Sequence, residues 1–307
     1  MSKQNTIKNS FTLQGKGLHT GLNINLTFVP APENHGIIIK RVDLPGQPAM
    51  EAVAENVAET VRGTVLKIDS MQVSTVEHAM AALYACKIDN CLLEVDAPEF
   101  PILDGSAKIF IEKINKTGTE KQTAERKYFV VKEKIAYTNP ETGSHIMVLP
   151  DDAFSVSVQI GFKSKLLKNQ FATLNNLNDF ANEVAAARTF VFVREIKYLL
   201  KMNLIKGGDL KNAVVIYDEL ISQESMDRFT DRLGQPHIDA SQLGYLSGDL
   251  KYENEPARHK VIDVIGDLAL VGRQIKGKVI ATYPGHKTNT ELAKLIRQEI
   301  LKETHGI

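Results

Sequence analysis

Tryptophan is absent from this chain, only two residues are cysteine, and the charges cancel at 37 Lys plus Arg against 37 Asp plus Glu. Two cysteines exclude a disulfide-stapled scaffold. Cys86 and Cys91, spaced C-x4-C, form no convincing zinc pair and read as core residues. Zero net charge gives no bulk field for nucleic acid or an anionic surface, so no nucleic-acid partner is expected. No stretch approaches the ~20 apolar residues of a membrane span, and the opening MSKQNTIKNSFTLQG lacks the apolar run of a signal peptide. The expectation is a cytoplasmic monomer with at most peripheral membrane proximity.

What is present suffices for a full core, since 43% of the 307 residues are hydrophobic, enough for one large or two ordinary domains. The chain opens strand-rich, with alternation over 7–29 around the turn GKGLHTG and then GIIIKR. A helical pattern STVEHAMAALYACKI, a strand CLLEV, a Pro-punctuated loop DAPEFPILDGS and a helical AKIFIEKINK follow. The polar run TGTEKQTAERK reads as a separator. Beyond it YFVVKEKIAY, SHIMVLP and SVSVQIGF read as strands. VREIKYLLKMN, RHKVIDVIGDLALVG and TELAKLIRQEILKE read as helices. The order of elements repeats, which divides the chain into 1–125 and 126–307, two similar α+β domains whose shared interface suits a ligand site.

Chemistry concentrates on one helix. His259, Asp263 and Asp267, four residues apart, fall within an arc of about 80°, while Val261, Ile262, Val264, Ile265, Leu268 and Ala269 fill the other side. A solvated face would carry Lys and Glu; this one carries short, rigid ligand types, with Gly266 beside them for close approach. The first half offers Glu77-His78 at the start of an apolar helix. There Ser74 and Glu77 also fit a capping box, with His78 as a satisfied core histidine. If His78 joins His259 and Asp263, two nitrogens and one oxygen leave one tetrahedral position open, the arrangement of a catalytic zinc site. Glu77 would then be the general base, and Asp267 would orient His286, which reads as part of the loop TYPGHK. The remaining histidines, 19, 35, 145, 237 and 305, read as loop or surface residues without a role.

In this order STVEHAMAAL, DAPEFPILDGS, AARTF, RHKVIDVIGDL and PGHKTN resemble the zinc-dependent UDP-3-O-acyl-N-acetylglucosamine deacetylases of lipid A biosynthesis, the LpxC family, over essentially the whole chain. The resemblance implies a duplicated α+β fold, helices sandwiched between sheets, with the active site at the domain junction. It implies Zn²⁺ on His78, His259 and Asp263, with a water at the metal attacking the acetamide carbonyl and Glu77 as general base. Thr189 would help to stabilise the oxyanion, and His286, held by Asp267, would support the developing charge. Either Glu77 or His286 could protonate the leaving amine. Phe190 and Lys260 would contact the UDP-linked acylated amino sugar. The family's acyl passage would come from an insertion, expected around 205–256, with KNAVVIYDELI as a candidate wall; MDRFTDRLGQPHIDASQLGYLSGDLKYENE is longer than the family's usual connection. Some members continue into an acyl-chain dehydratase domain. The zinc constellation alone would equally fit an amidohydrolase of another acylated amine or peptide. A non-catalytic metal clip would have no use for Glu77, Thr189 and His286.

Overall fold

The computed structural model describes residues 2–305, with side chains to Glu303, so the His305 side chain and the end of the tail THGI lie outside the described residues. In the first half a five-stranded sheet runs in the order Phe11–Lys16, Asn23–Pro30, Cys91–Val95, Ile37–Arg41, Ala49–Glu51. In the second half the main path is Ile135–Thr138, His145–Leu149, Gln274–Thr282, Phe154–Ile160, Gln170–Leu174, with Tyr128–Val130 also pairing with the central strand. Each sheet opens on an antiparallel hairpin. The last strand in the chain inserts centrally in each, antiparallel to the second strand and parallel to the third. The α+β class expected from the sequence is observed, and the two sheets follow one path strand for strand, as a duplicated unit would.

Seven α-helices occur among the described residues: α1 Glu77–Ala85, α2 Lys108–Thr117, α3 Phe180–Glu183, α4 Val193–Lys201, α5 Gln223–Arg232, α6 Glu255–Ala269 and α7 His286–His305. The parallel strand pair of each sheet requires a crossover, and α1 and α6 lie on those crossovers. A helix apolar around most of its circumference must be buried. Residues 77–84 of α1 are all buried, as is every residue of α6 except Arg258 and Lys260. Both helices sit in one continuous core to which both sheets contribute. They meet backbone to backbone at Gly266, where a Cβ would lie 2.1 Å from the Glu77 carbonyl oxygen. That contact sets the start of α1 against the middle of α6.

Two small sheets interrupt the halves at the same point, between the fourth strand and the crossover helix. One is Val57–Glu59, Val65–Ile68, Met71–Val73; the other is Phe190–Phe192, Val214–Tyr217, Gly244–Tyr245, which carries α4 and α5. The second has its own core of Val193, Ile196, Val215, Tyr217 and Met226. The insertion therefore begins earlier than the 205 expected, because Phe190–Phe192 pairs in parallel with Val214–Ile216 across α4. The polar run expected to be a separator is instead a strand, Thr119–Glu125, paired antiparallel with Lys3–Ile7. It is exposed along most of its length, so burial imposed no apolar alternation on it. Cys91 is buried and Cys86 half-buried, both as free thiols, and among the described residues no helix is long and apolar enough to cross a membrane.

Candidate active site

Glu77 and His78 open α1, with Val76 at the cap position. The capping box does not form: the Ser74 hydroxyl donates to the Pro98 carbonyl (3.3 Å), and the Glu77 carboxylate accepts from the Thr64 backbone N–H (3.1 Å). Glu77 is thereby directed away from its own helix and toward the first small sheet. On α6, His259, Asp263 and Asp267 form the anticipated stripe, all at 2% exposure or less. The backbone contact at Gly266 brings the two sets together, and the ligand atoms of His78, His259 and Asp263 all lie within 4.8 Å of one another.

The chemistry of this trio fits a divalent cation. His259 Nδ1 lies 3.0 Å from the Ala187 carbonyl, which makes that nitrogen the donor and leaves Nε2 as a lone pair facing Asp263 Oδ1 at 3.3 Å. His78 Nε2 faces the same oxygen at 3.9 Å, and its ring meets that of His259 edge-on, 5.0 Å between centroids. Asp263 Oδ1 is buried without a hydrogen-bond partner. Leaving such an oxygen unpaired is costly, and a cation held by two imidazoles would satisfy it. Burial, then the neighbouring His259, pushes the His78 imidazole down to about 3, so it is neutral as a metal ligand must be. Burial acts to raise the Asp263 carboxyl, but Lys260 and His259 outweigh it and hold it well below the ordinary range. Lys260 does this directly, its Nζ 2.7 Å from Asp263 Oδ2.

Beside the trio lies a proton-handling pair. Burial, reinforced by Asp267 and Asp263 and opposed by His286, raises the Glu77 carboxyl to about 7. Burial pulls the His286 imidazole down, but the carboxylates of Asp267 and Glu77 more than reverse this and lift it to about 9. The two side chains face each other across 3.8 Å, Nε2 to Oε1. Near neutral pH one group can take a proton while the other holds one. His286 is fixed by its Nδ1 against Asp267 Oδ2 (2.9 Å), and Asp267 in turn accepts from the Thr64 hydroxyl (2.5 Å) and the Asn289 amide (2.9 Å). Rather than lying in a loop, His286 is the first residue of α7, and Pro284-Gly285 lies directly before it.

Thr189 lines the cleft with these groups, its backbone locked by donation to Gly105 O (2.7 Å) and by acceptance from Val214 N (2.7 Å). Gly105 has φ +77°, and a Cβ there would strike the Asn212 carbonyl at 1.9 Å, so the glycine of DGS is required for the contact that holds Thr189. Phe190 is half-buried, edge-on to Phe162 (5.6 Å), with the Lys260 ammonium 5.5 Å from its ring centre. An apolar passage adjoins the cleft and shares Leu18, Arg62, Thr189 and Phe190 with it. Ile196, Leu199 and Leu200 of α4, Ala213 and Val215 of the candidate wall, and Phe229 and Leu233 at α5 line its length.

Every residue singled out from the sequence is therefore in this cleft or touching it, but several contributors escaped. Thr64 carried no signal. Asn289 stands three residues beyond His286 on the same helix face, a spacing within GHKTN that could have revealed it. His19 lies in a loop as expected, but it is not idle surface: its ring lines the passage, burial lowers its imidazole, and Nε2 is buried without a partner. The loop carrying it is held by the fully buried Glu99, which accepts from His19 N (2.8 Å), Thr20 N (2.9 Å) and the hydroxyls of Thr20 (2.7 Å) and Thr75 (3.2 Å).

The family model for UDP-3-O-acyl N-acetylglycosamine deacetylase, LpxC, matches residues 4–234 and 238–298. A protein of Bacteroides thetaiotaomicron named bifunctional enzyme LpxC/FabZ is 57% identical over 98% of this chain, and one of the same name from Porphyromonas gingivalis is 56% identical over 98%. The chain spans 65% of the length of each of these relatives. The UDP-3-O-acyl-N-acetylglucosamine deacetylase of Marinobacter nauticus is 36% identical over 97% of this chain and 91% of its own length.

Proposed function

This chain belongs to the LpxC family of UDP-3-O-acyl N-acetylglycosamine deacetylases, and from that premise we propose that it removes the N-acetyl group of UDP-3-O-acyl-N-acetylglucosamine. The products are UDP-3-O-acyl-glucosamine and acetate, in the synthesis of lipid A. The observation that carries the reading is the pairing of Glu77, raised to about 7, with His286, raised to about 9, beside a buried trio containing an unpartnered carboxylate oxygen. His78, His259 and Asp263 would hold Zn²⁺, which when bound polarises the amide carbonyl and acidifies water.

The chain's own groups then divide the work. Glu77 takes the proton of the attacking water as its oxygen bonds to the acetamide carbon. Thr189 offers a hydroxyl to the carbonyl oxygen as charge develops there. Asp267 keeps His286 protonated and aimed, so that His286 supports that charge. A proton held by Glu77 or His286 passes to the nitrogen as the C–N bond breaks. Lys260 and Phe190 meet the UDP-sugar portion, and the passage between α4, Val214–Tyr217 and α5 receives the acyl chain. We place the boundary between the two halves at residue 125, and read the protein as a cytoplasmic monomer.

Acetate release is measured from the acylated UDP-N-acetylglucosamine and from the same nucleotide sugar without its acyl chain. The reading predicts turnover of the first with kcat/KM far above that of the second. Equal turnover of both, or of neither, would remove the substrate assignment and favour another acylated amine.

A further inference from the structure

Helix α4 forms one wall of the apolar passage, and the exposed face of that helix differs from an ordinary solvated face. Arg194, Lys197, Tyr198, Lys201 and Met202 follow the spacing i, i+3, i+4, i+7, i+8 and so form one stripe. Tyr198 is 64% and Met202 45% exposed, although nothing in the fold covers them. The opposite face, Ile196 and Leu199, packs inward along the passage. The helix is thus amphipathic twice over, with an inner apolar face and an outer face that is cationic, aromatic and thioether.

The charges support the same distinction. Glu195, the one acid of α4, is tied to Arg62 at 3.0 Å, and Arg194 is tied to Asp218 and Glu219. Among the described residues, Lys197, Lys201, Lys206 and Arg232 pair with no carboxylate and are exposed. Lys206 and Arg232 stand at the passage itself, and Arg232 also borders the groove formed by Lys197 and Lys201. These four cations therefore border the passage or the neighbouring groove along α4, in a chain whose total charge is zero. Cations around exposed Tyr and Met on the outer face of a helix that walls an apolar passage are the composition of an interfacial helix, whose ring and thioether enter the headgroup boundary while lysines meet lipid phosphates.

We propose that the outer face of α4 docks on an anionic lipid bilayer, with Lys197 and Lys201 at the headgroups and Tyr198 and Met202 at the acyl boundary. The α4 wall of the passage then lies at the bilayer. The purpose of this docking, delivery or release of an acylated molecule at the membrane, rests on the proposed substrate; the docking itself does not. An acidic protein would complement the lysines, but it would leave the Tyr198 and Met202 stripe unexplained.

The test is co-sedimentation of the 307-residue chain with vesicles of phosphatidylglycerol and of phosphatidylcholine, with no substrate present. Binding to phosphatidylglycerol vesicles is expected, weakening as salt rises, with little binding to phosphatidylcholine. At roughly fivefold per lysine near such a surface, K197Q/K201Q should weaken partition by about thirtyfold, and Y198S/M202S should weaken it at high salt as well. K116Q/K121Q, in the other half, should leave binding intact. No binding at low ionic strength overturns the proposal, whatever else the face recognises. Equal losses in K197Q/K201Q and K116Q/K121Q overturn it too, by reducing the effect to bulk charge. Turnover of the UDP-sugar is measured separately in vesicle-free buffer, where K197Q/K201Q should match the parent. Loss of turnover in the parent would defeat the substrate reading and leave vesicle binding as its own result.

Discussion

Gly266→Ala isolates the geometry on which the site depends, because it changes no ligand, base or substrate contact. Two effects oppose each other. Within a helix, alanine is favoured over glycine by about 1 kcal/mol, so α6 alone would be stabilised. In the fold, however, the new Cβ would sit 2.1 Å from the Glu77 carbonyl oxygen, 2.8 Å from its carbon and 3.0 Å from its Cα. These are backbone atoms of α1 and cannot turn aside as a side chain would. To reach ordinary contact the helices must part by over an ångström, and overpacking on that scale costs ~1–3 kcal/mol or more, so packing outweighs propensity. The displacement falls on the backbone of Glu77, which carries the proposed base and directly precedes His78 of the trio. Misplacement by about 1 Å costs on the order of a hundredfold in rate. We therefore expect G266A to fold with a lowered unfolding midpoint, to bind zinc more weakly and to lose about a hundredfold in kcat/KM. Calorimetry, zinc titration and acetate release are the assays. A G266A protein within threefold of the parent in both kcat/KM and zinc affinity would refute the claim that the α1–α6 contact positions the site.

Further expectations follow from single groups. E77Q should retain its zinc yet lose about 10²–10⁴-fold in kcat, the usual scale for a general base; a smaller loss would shift the base role to another group. With Glu77 raised to about 7 and His286 to about 9, the rate should rise with pH as Glu77 ionises and fall as His286 loses its proton. A cation beside Glu77 favours its charged form, so in the zinc enzyme the ascending limb lies at or below about 7. D267N removes the carboxylate that most raises His286, so the descending limb should move to lower pH; a limb that stays in place would exclude His286 as its source. E99A strips the acceptor from the backbone N–H groups of His19 and Thr20 and from two hydroxyls, which should destabilise the fold by roughly 3 kcal/mol or more in urea unfolding. A change below about 1 kcal/mol would show that the loop finds other partners.

The ligand stripe was legible because one helix repeats its face every 3.6 residues, so His259, Asp263 and Asp267 announced a common direction without tertiary information. Gly266 was legible for a related reason, although the neighbour it admits, the Glu77 backbone, was not. The α+β class could be read from the alternation of periods. The residues that hold the site in place were not legible, since Thr64 meets Asp267 across 203 positions and local pattern is silent at that range. The capping motif at Ser74 and Glu77 offered a local answer, and tertiary contacts overrode it when Thr64 engaged the carboxylate. Pro284-Gly285 reads as a turn and so places His286 in a loop, whereas α7 begins at His286 itself. Thr119–Glu125 was missed because an exposed strand needs no apolar alternation, only a partner, and its partner lies at the other end of the half.

We propose that this protein is a zinc-dependent deacetylase of an acylated UDP-N-acetylglucosamine. Its most direct test is turnover of that substrate after metal removal by chelator, followed by titration with zinc. The metal-free protein should release no acetate, and activity should return in proportion to zinc, saturating at one ion per chain. Undiminished turnover without metal, or a folded, zinc-loaded protein that releases no acetate, would contradict it.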